Sequence, residues 1–120
     1  MKTFTPGELE IMQVLWEHGS LKPAEIQGRF PRPIKNAALR SALLVLVDKG
    51  HIKRKKVGKA YFYSAKTPRE GTLSRMTRRM ADVFCGGSKA ALIAQLIETE
   101  ELSKEDIEEL QRIAQKKASE

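Results

Sequence analysis

Hydrophobic positions in the first third of the chain recur every three or four residues, and short polar breaks separate three such runs. Leu9, Met12, Leu15 and Trp16 share one helical face. Thr5-Pro6-Gly7-Glu8 before them carries a capping threonine, a proline suited to the first turn and a glutamate able to reach back. Gly19 closes the run. A short second helix is expected from Pro23, with Ile26 and Phe30 one turn apart on its buried side. Pro31 and Pro33 prevent its continuation. A third helix is expected from Lys35 to Lys49, with Leu39, Leu43, Leu46 and Val47 inside, Ala42 flanking and Gly50 as the stop. Its opposite face carries Ala37, Arg40, Ser41 and Leu44, whose small and polar groups leave room for a close approach.

The period then changes. Residues 52–57 and 60–65 read as two strands around Gly58-Lys59, a two-residue turn with glycine at its first central position. Alternation sends Tyr61 and Tyr63 to one face of this hairpin and Phe62 to the other. Thr67-Pro68-Arg69-Glu70 repeats the earlier start signal, so a long helix is expected to begin there. Leu73, Met76, Met80 and Val83 form a narrow seam on it, widened by Phe84 and ended by Gly86-Gly87. Ser88 can cap a further helix with Leu92, Ile93, Leu96 and Ile97 inside. Ser103 to Asp106 starts a last one with Ile107, Leu110 and Ala114 on one side. The expected fold is mostly α with a small β-hairpin: an N-terminal winged helix-turn-helix over residues 1–67, then a C-terminal helical dimerisation region over residues 68–120.

Charge sharpens this division. Residues 1–69 hold 14 Lys and Arg against 5 Asp and Glu, whereas residues 70–120 hold 8 against 10. Within residues 22–66, 12 cations face only Glu25 and Asp48, an excess that repels itself unless a polyanion neutralises it. Arg54, Lys55, Lys56 and Lys59 on the hairpin are assigned to phosphate contact, although a solvated run protecting an edge strand would carry the same charges. On the third helix Arg40 suits a guanine edge, Asn36 an adenine edge or a helix cap, and Lys35 and Ser41 phosphates, with Ala37 beside them. Tyr61 and Tyr63 are read as packing at the base of the hairpin rather than stacking on bases. Leu44 and Val45 fit neither role directly. Contact with thymine methyls, packing on the C-terminal helices and a helix register shifted from the one above all stand open.

Composition excludes other classes. With 41% hydrophobic and 31% charged residues the 120-residue chain is globular rather than disordered. No apolar run reaches the roughly 20 residues of a membrane span. Met1-Lys2-Thr3 leads into no signal-peptide core, so a cytoplasmic location is expected. A single cysteine, Cys85, allows no internal disulfide and reads as a small apolar residue. His18 and His51 each lie beside a glycine at an element boundary, and no metal-ligand spacing occurs, so neither catalysis nor a metal or cofactor is expected. A tail of some 50 residues with apolar stripes has too little core to stand alone. Leu73, Met76, Met80, Val83, Phe84, Leu92, Leu96, Leu102, Ile107 and Leu110 are therefore expected to meet a second copy, although Met76, Met80 and Phe84 could instead line a ligand pocket.

Four segments in order carry a resemblance: "TPGELEIMQVLWEHG" at 5–19, "AEI" at 24–26, "VDKGHIKRKKVGKAYFY" at 47–63 and "LSKEDIEEL" at 102–110. They resemble the penicillinase-repressor (BlaI/MecI) family, to which the copper-responsive CopY repressors are related. That resemblance implies a homodimeric repressor with an N-terminal winged helix and interlocking C-terminal helices, bound to dyad-symmetric operator DNA. In the best-known members a sensor's signal leads to cleavage of the repressor. Arg40-Ser41 matches a basic residue followed by threonine that contacts operator DNA in the family. Leu44 and Val45 stand where the family has a polar residue and an arginine, and Ala37-Ala38 replaces more polar residues, which implies a different operator. Gln95-Leu96 stands where cleaved members have an Asn-Phe scissile pair, which sets a regulatory protease in doubt. The cysteine cluster of the copper-responsive relatives is missing. Alternatives to this reading are a winged-helix regulator released by a small molecule and an architectural nucleic-acid-binding module.

Overall fold

The computed structural model describes residues 4–120; Met1, Lys2 and Thr3, where the absence of a leader was read, lie outside the described residues. The element order is α1 (Pro6–His18), α2 (Pro23–Arg29), α3 (Asn36–Asp48), β1 (Ile52–Val57), β2 (Ala60–Ala65), α4 (Thr72–Cys85), α5 (Lys89–Thr99) and α6 (Lys104–Ala118). The chain divides into two compact units, Met1–Met76 and Thr77–Glu120.

In the first unit α1 starts as its sequence dictates. The Thr5 hydroxyl accepts from the Glu8 N–H at 3.2 Å, and the Glu8 carboxylate accepts from the Thr5 N–H at 2.8 Å, which completes the capping box of α1. Glu25 likewise accepts from the Lys22 N–H ahead of α2. α1, α2 and α3 pack on one another around Ile11, Met12, Leu15, Ile26, Leu39, Leu43 and Leu46, all fully buried. Burying each such side chain is worth roughly 1.5–3 kcal/mol, so this single cluster holds the unit together.

β1 and β2 form a two-stranded antiparallel sheet in which Val57 pairs with Ala60 across Gly58-Lys59. Gly58 has φ of +63° and no non-glycine residue among those described has positive φ, so the turn is left-handed at its first central position alone, the type II′ arrangement. A third, one-residue strand had no signal in the sequence. The Leu21 N–H donates to the Tyr63 carbonyl at 2.9 Å and the Tyr63 N–H to the Leu21 carbonyl at 2.8 Å, which ties the hairpin base to the α1–α2 connection.

α4 begins at Thr72, later than the start signal at Thr67-Pro68 suggests. Thr67 is committed elsewhere: its hydroxyl meets His51 Nδ1 at 2.8 Å, its N–H donates to the His51 carbonyl, and its carbonyl accepts from Trp16 Nε1. Gly71, at φ +82°, then reverses the backbone before the helix can start. His51 and Thr67 thus close the hairpin base against α1.

The second unit is helical throughout its ordered elements. Ser88 caps α5 through the Ala91 N–H, and Ser103 and Asp106 form a capping box at α6. Ala81 and Leu92 are buried here. Ile93, Leu96 and Ile97, expected inside, are exposed, and α6 buries nothing. Three helices in this short segment offer one another too little surface to cover every apolar residue they carry.

Candidate nucleic-acid interface

The spacing of α3 sends Leu39, Leu43 and Leu46 into the core, so its outer face must present Asn36, Ala37, Arg40, Ser41, Leu44, Val45 and Asp48, and all of these are exposed. Lys35 occupies the N-cap with extended backbone, exposed and without a side-chain cap bond. Asn36 does not cap the helix. Its Oδ1 accepts from Arg40 Nε at 2.8 Å, a bond across one helical turn that restrains the guanidinium of this exposed residue. Ala37 adds no bulk in front of this pair. The polar groups singled out on α3 therefore stand together at its N-terminal half.

Leu44 and Val45 follow them on the same outer face, 50% and 45% exposed. The register read from the sequence is correct, since the core leucines are fully buried.

The hairpin presents cations on both faces. Register pairs Arg54 with Tyr63 and Lys56 with Tyr61, so these share one face, while Lys53 and Lys55 pair with Ser64 and Phe62 on the other. Lys53, Arg54, Lys55, Lys56 and Lys59 are all exposed. The tyrosines separate in role. Tyr63 is buried in the core, while Tyr61 is exposed, with the Arg54 guanidinium 4.8 Å and the Lys56 ammonium 5.8 Å from its ring centroid. Tyr61 thereby holds two cations in place by ring–cation attraction. On the other face Lys22 lies 6.0 Å from the Phe62 ring centroid.

One contact behind this surface was not anticipated from the sequence. The Lys49 ammonium donates to both Glu8 carboxylate oxygens at 2.9 Å and so ties the end of α3 to the start of α1. Burial by itself would raise the Glu8 pKa, but hydrogen bonds from the Thr5 N–H and Lys49, with the Lys49 charge, outweigh it and hold the carboxyl below 4.5. Forty-one positions separate the partners, so no local pattern could have announced the pair.

In the second unit, Val83 and Phe84 on α4 are 71% and 67% exposed, and Met80, Leu96, Ile107 and Leu110 are exposed too. Leu102 is half-buried, and Leu92 is buried within its own chain. In the first unit Leu73 is exposed and Met76 half-buried. The Cys85 thiol donates to Gln95 Oε1 at 3.3 Å, and Gln95 and Leu96 lie inside the continuous helix α5. The first unit also contains a groove of about 520 Å³ whose walls include Leu9, Val14, Trp16, Pro31, Arg29 and Arg69. Among the described residues no group of His, Cys, Asp and Glu could hold a metal ion, and no single helix is long and apolar enough to cross a membrane.

Three helices followed by a cationic hairpin, with an exposed polar face on the third helix, make a winged helix. A sequence model of the penicillinase repressor family matches residues 4–116. The chain belongs to the penicillinase repressor family. The penicillinase repressor of Bacillus licheniformis is 25% identical over 109 residues, which cover 89% of this chain and 85% of that protein. An uncharacterised 16.5 kDa protein from the ptsI 3′ region of Latilactobacillus sakei is 27% identical over 117 residues, covering 96% of this chain and 80% of that one. Among solved structures, the YusO protein of Bacillus subtilis superposes with a TM-score of 0.55 at 26% identity over 96% of this chain and 74% of its own. As a member of the penicillinase repressor family, the chain is a DNA-binding transcriptional repressor of winged-helix type.

Proposed function

We propose that this repressor acts as a homodimer that binds a dyad-symmetric operator in double-stranded DNA and blocks a promoter by occupying it. The observation that carries the DNA surface is the outer face of α3, where Asn36 orients Arg40 beside Ala37 and Ser41. Arg40 reads a base edge, Lys35 and Ser41 hold phosphates, and Arg54, Lys55, Lys56 and Lys59 of the wing supply sequence-independent affinity. Residues 1–67 form the DNA-binding domain in this reading and residues 68–120 the dimerisation region. Support for the second copy comes from the uncovered apolar groups of α4, α5 and α6, since Met80, Val83, Phe84, Leu96, Ile107 and Leu110 face solvent in a single chain. A twofold dimer places two recognition helices about 34 Å apart, one turn of DNA. Gln95-Leu96, in place of the family's scissile pair and within the helix α5, argues against release by a regulatory protease at this position.

Fluorescence anisotropy on operator and random duplexes across a salt series tests the DNA surface. Arg40→Ala is expected to cost about 1–3 kcal/mol on the operator and little on random DNA. Lys55→Ala with Lys56→Ala is expected to weaken every duplex alike and to lower the salt slope by about 2, close to 0.9 per lost phosphate contact. Unchanged binding in both variants sinks the assignment.

A second reading, release by a small molecule, draws on the groove beside Trp16, whose volume of about 520 Å³ falls in the range of ligand sites. A ligand that occupies it would raise the melting temperature of the purified protein.

A further inference from the structure

Leu44 and Val45 remain unaccounted for by phosphate contact or by the Arg40 contact. They sit on an exposed helix face whose other members are small or polar, and they are 50% and 45% exposed. Half-exposed leucine and valine on the face assigned to DNA would gain from an apolar counterpart there. The major groove offers one such group, the 5-methyl of thymine. We infer that Leu44 and Val45 are specificity-determining residues that read thymine methyl groups in the operator half-site. The inference rests on the DNA-binding reading above and deepens it.

Helix geometry sets the register. Leu44 lies one turn beyond Arg40, about 6 Å along the axis, and base pairs stack at about 3.4 Å. The methyl reader thus addresses a base about two steps from the one Arg40 contacts. Asp48, a further turn along, is also exposed and disfavours phosphate there, so the apolar pair ends the base-reading strip. The division of labour is chemical: Arg40 donates hydrogen bonds to the acceptors of a purine edge, and Leu44 with Val45 gains dispersion and desolvation from a methyl.

In vitro selection of random duplexes by the full-length chain, followed by replacement of the selected thymine with deoxyuridine, removes that methyl alone. The expected result is a recurrent thymine about two base pairs from a recurrent guanine. Deoxyuridine there is expected to weaken binding about fourfold per methyl lost, the equivalent of burying one CH₂-sized group. In the Leu44→Ala, Val45→Ala double variant thymine and deoxyuridine should bind alike; alanine on an exposed helix face preserves the fold. Equal binding of thymine and deoxyuridine by the parent overturns the inference, as does discrimination that survives in the double variant. Loss of dimer mass in that variant with thymine discrimination intact overturns it too, and assigns the two residues to a protein contact. Failure to enrich any site sinks the DNA-binding reading itself, a result distinct from the other three.

Discussion

The two units spend their hydrophobic residues in opposite ways. In the first, the apolar positions of α1, α2 and α3 converge with Ile52 and Tyr63 into one closed cluster, and most are completely hidden. In the second, α5 and α6 carry side-chain caps as α1 does, yet Leu92 and Ala81 are its buried hydrophobics while Val83, Phe84, Ile93 and Ile113 face outward. Capping and periodicity are therefore local properties that both units possess, and core closure is not. In the first unit α1, α2 and α3 all touch one another, and the hairpin packs against each of them. The second has three successive helices and too little facing surface. The contrast separates a unit whose apolar groups close on themselves from one that leaves apolar groups uncovered in a single chain, which is the basis of the dimer proposed above.

Breaking the closed core produces the largest expected effect. Leu43→Ala removes a fully buried side chain where the neighbouring leucines cannot collapse, and should cost about 2–5 kcal/mol in urea unfolding followed by circular dichroism. A loss under about 0.5 kcal/mol would contradict the packing described here. On the open side, Phe84→Asp with Val83→Asp should leave the first unit's unfolding unchanged while shifting association at least 30-fold, about 2 kcal/mol, in sedimentation. A variant pair that sediments as the parent does would remove these residues from any dimer contact.

The smallest effect concerns the ion pair at the end of α3. Lys49→Met leaves the Glu8 carboxylate buried without its cation and should cost about 1–3 kcal/mol near neutral pH. The Glu8 pKa is lowered in the folded state, so its contribution is present above about pH 4.5 and fades as pH falls through the lower folded value. Glu8→Gln should accordingly flatten the acid limb of the stability curve below about pH 4.5. An unchanged limb would show that other carboxylates govern acid unfolding.

Much of the interface was legible in residue order because it depends on local rules. Periodicity on α3 put Arg40 and Ser41 outside, and strand alternation put Arg54 and Lys56 opposite Lys53 and Lys55. The role of Asn36 was ambiguous in the sequence, since cap and orienting partner require the same side chain, and the bond to Arg40 distinguishes them. Tyr61 and Tyr63 share a face yet end in different environments, because the sheet extends beyond the core it covers. The start of α4 was misread for the same kind of reason, as Thr67 answers to His51 and Trp16 across the fold rather than to its own neighbours.

Residue order alone dictated the existence and order of the helices, the caps of α1, α5 and α6, the glycine-led hairpin turn, the cationic character of residues 22–66 and the membership of the outer face of α3. These follow from backbone sterics and from periods of a few residues, which any local stretch carries within itself. Three-dimensional packing alone established the Leu21–Tyr63 bridge, the Glu8–Lys49 tie and the split between a closed and an open apolar surface. Each of these depends on groups far apart in the chain meeting or failing to meet, and that is a matter of how much surface the folded elements can offer one another.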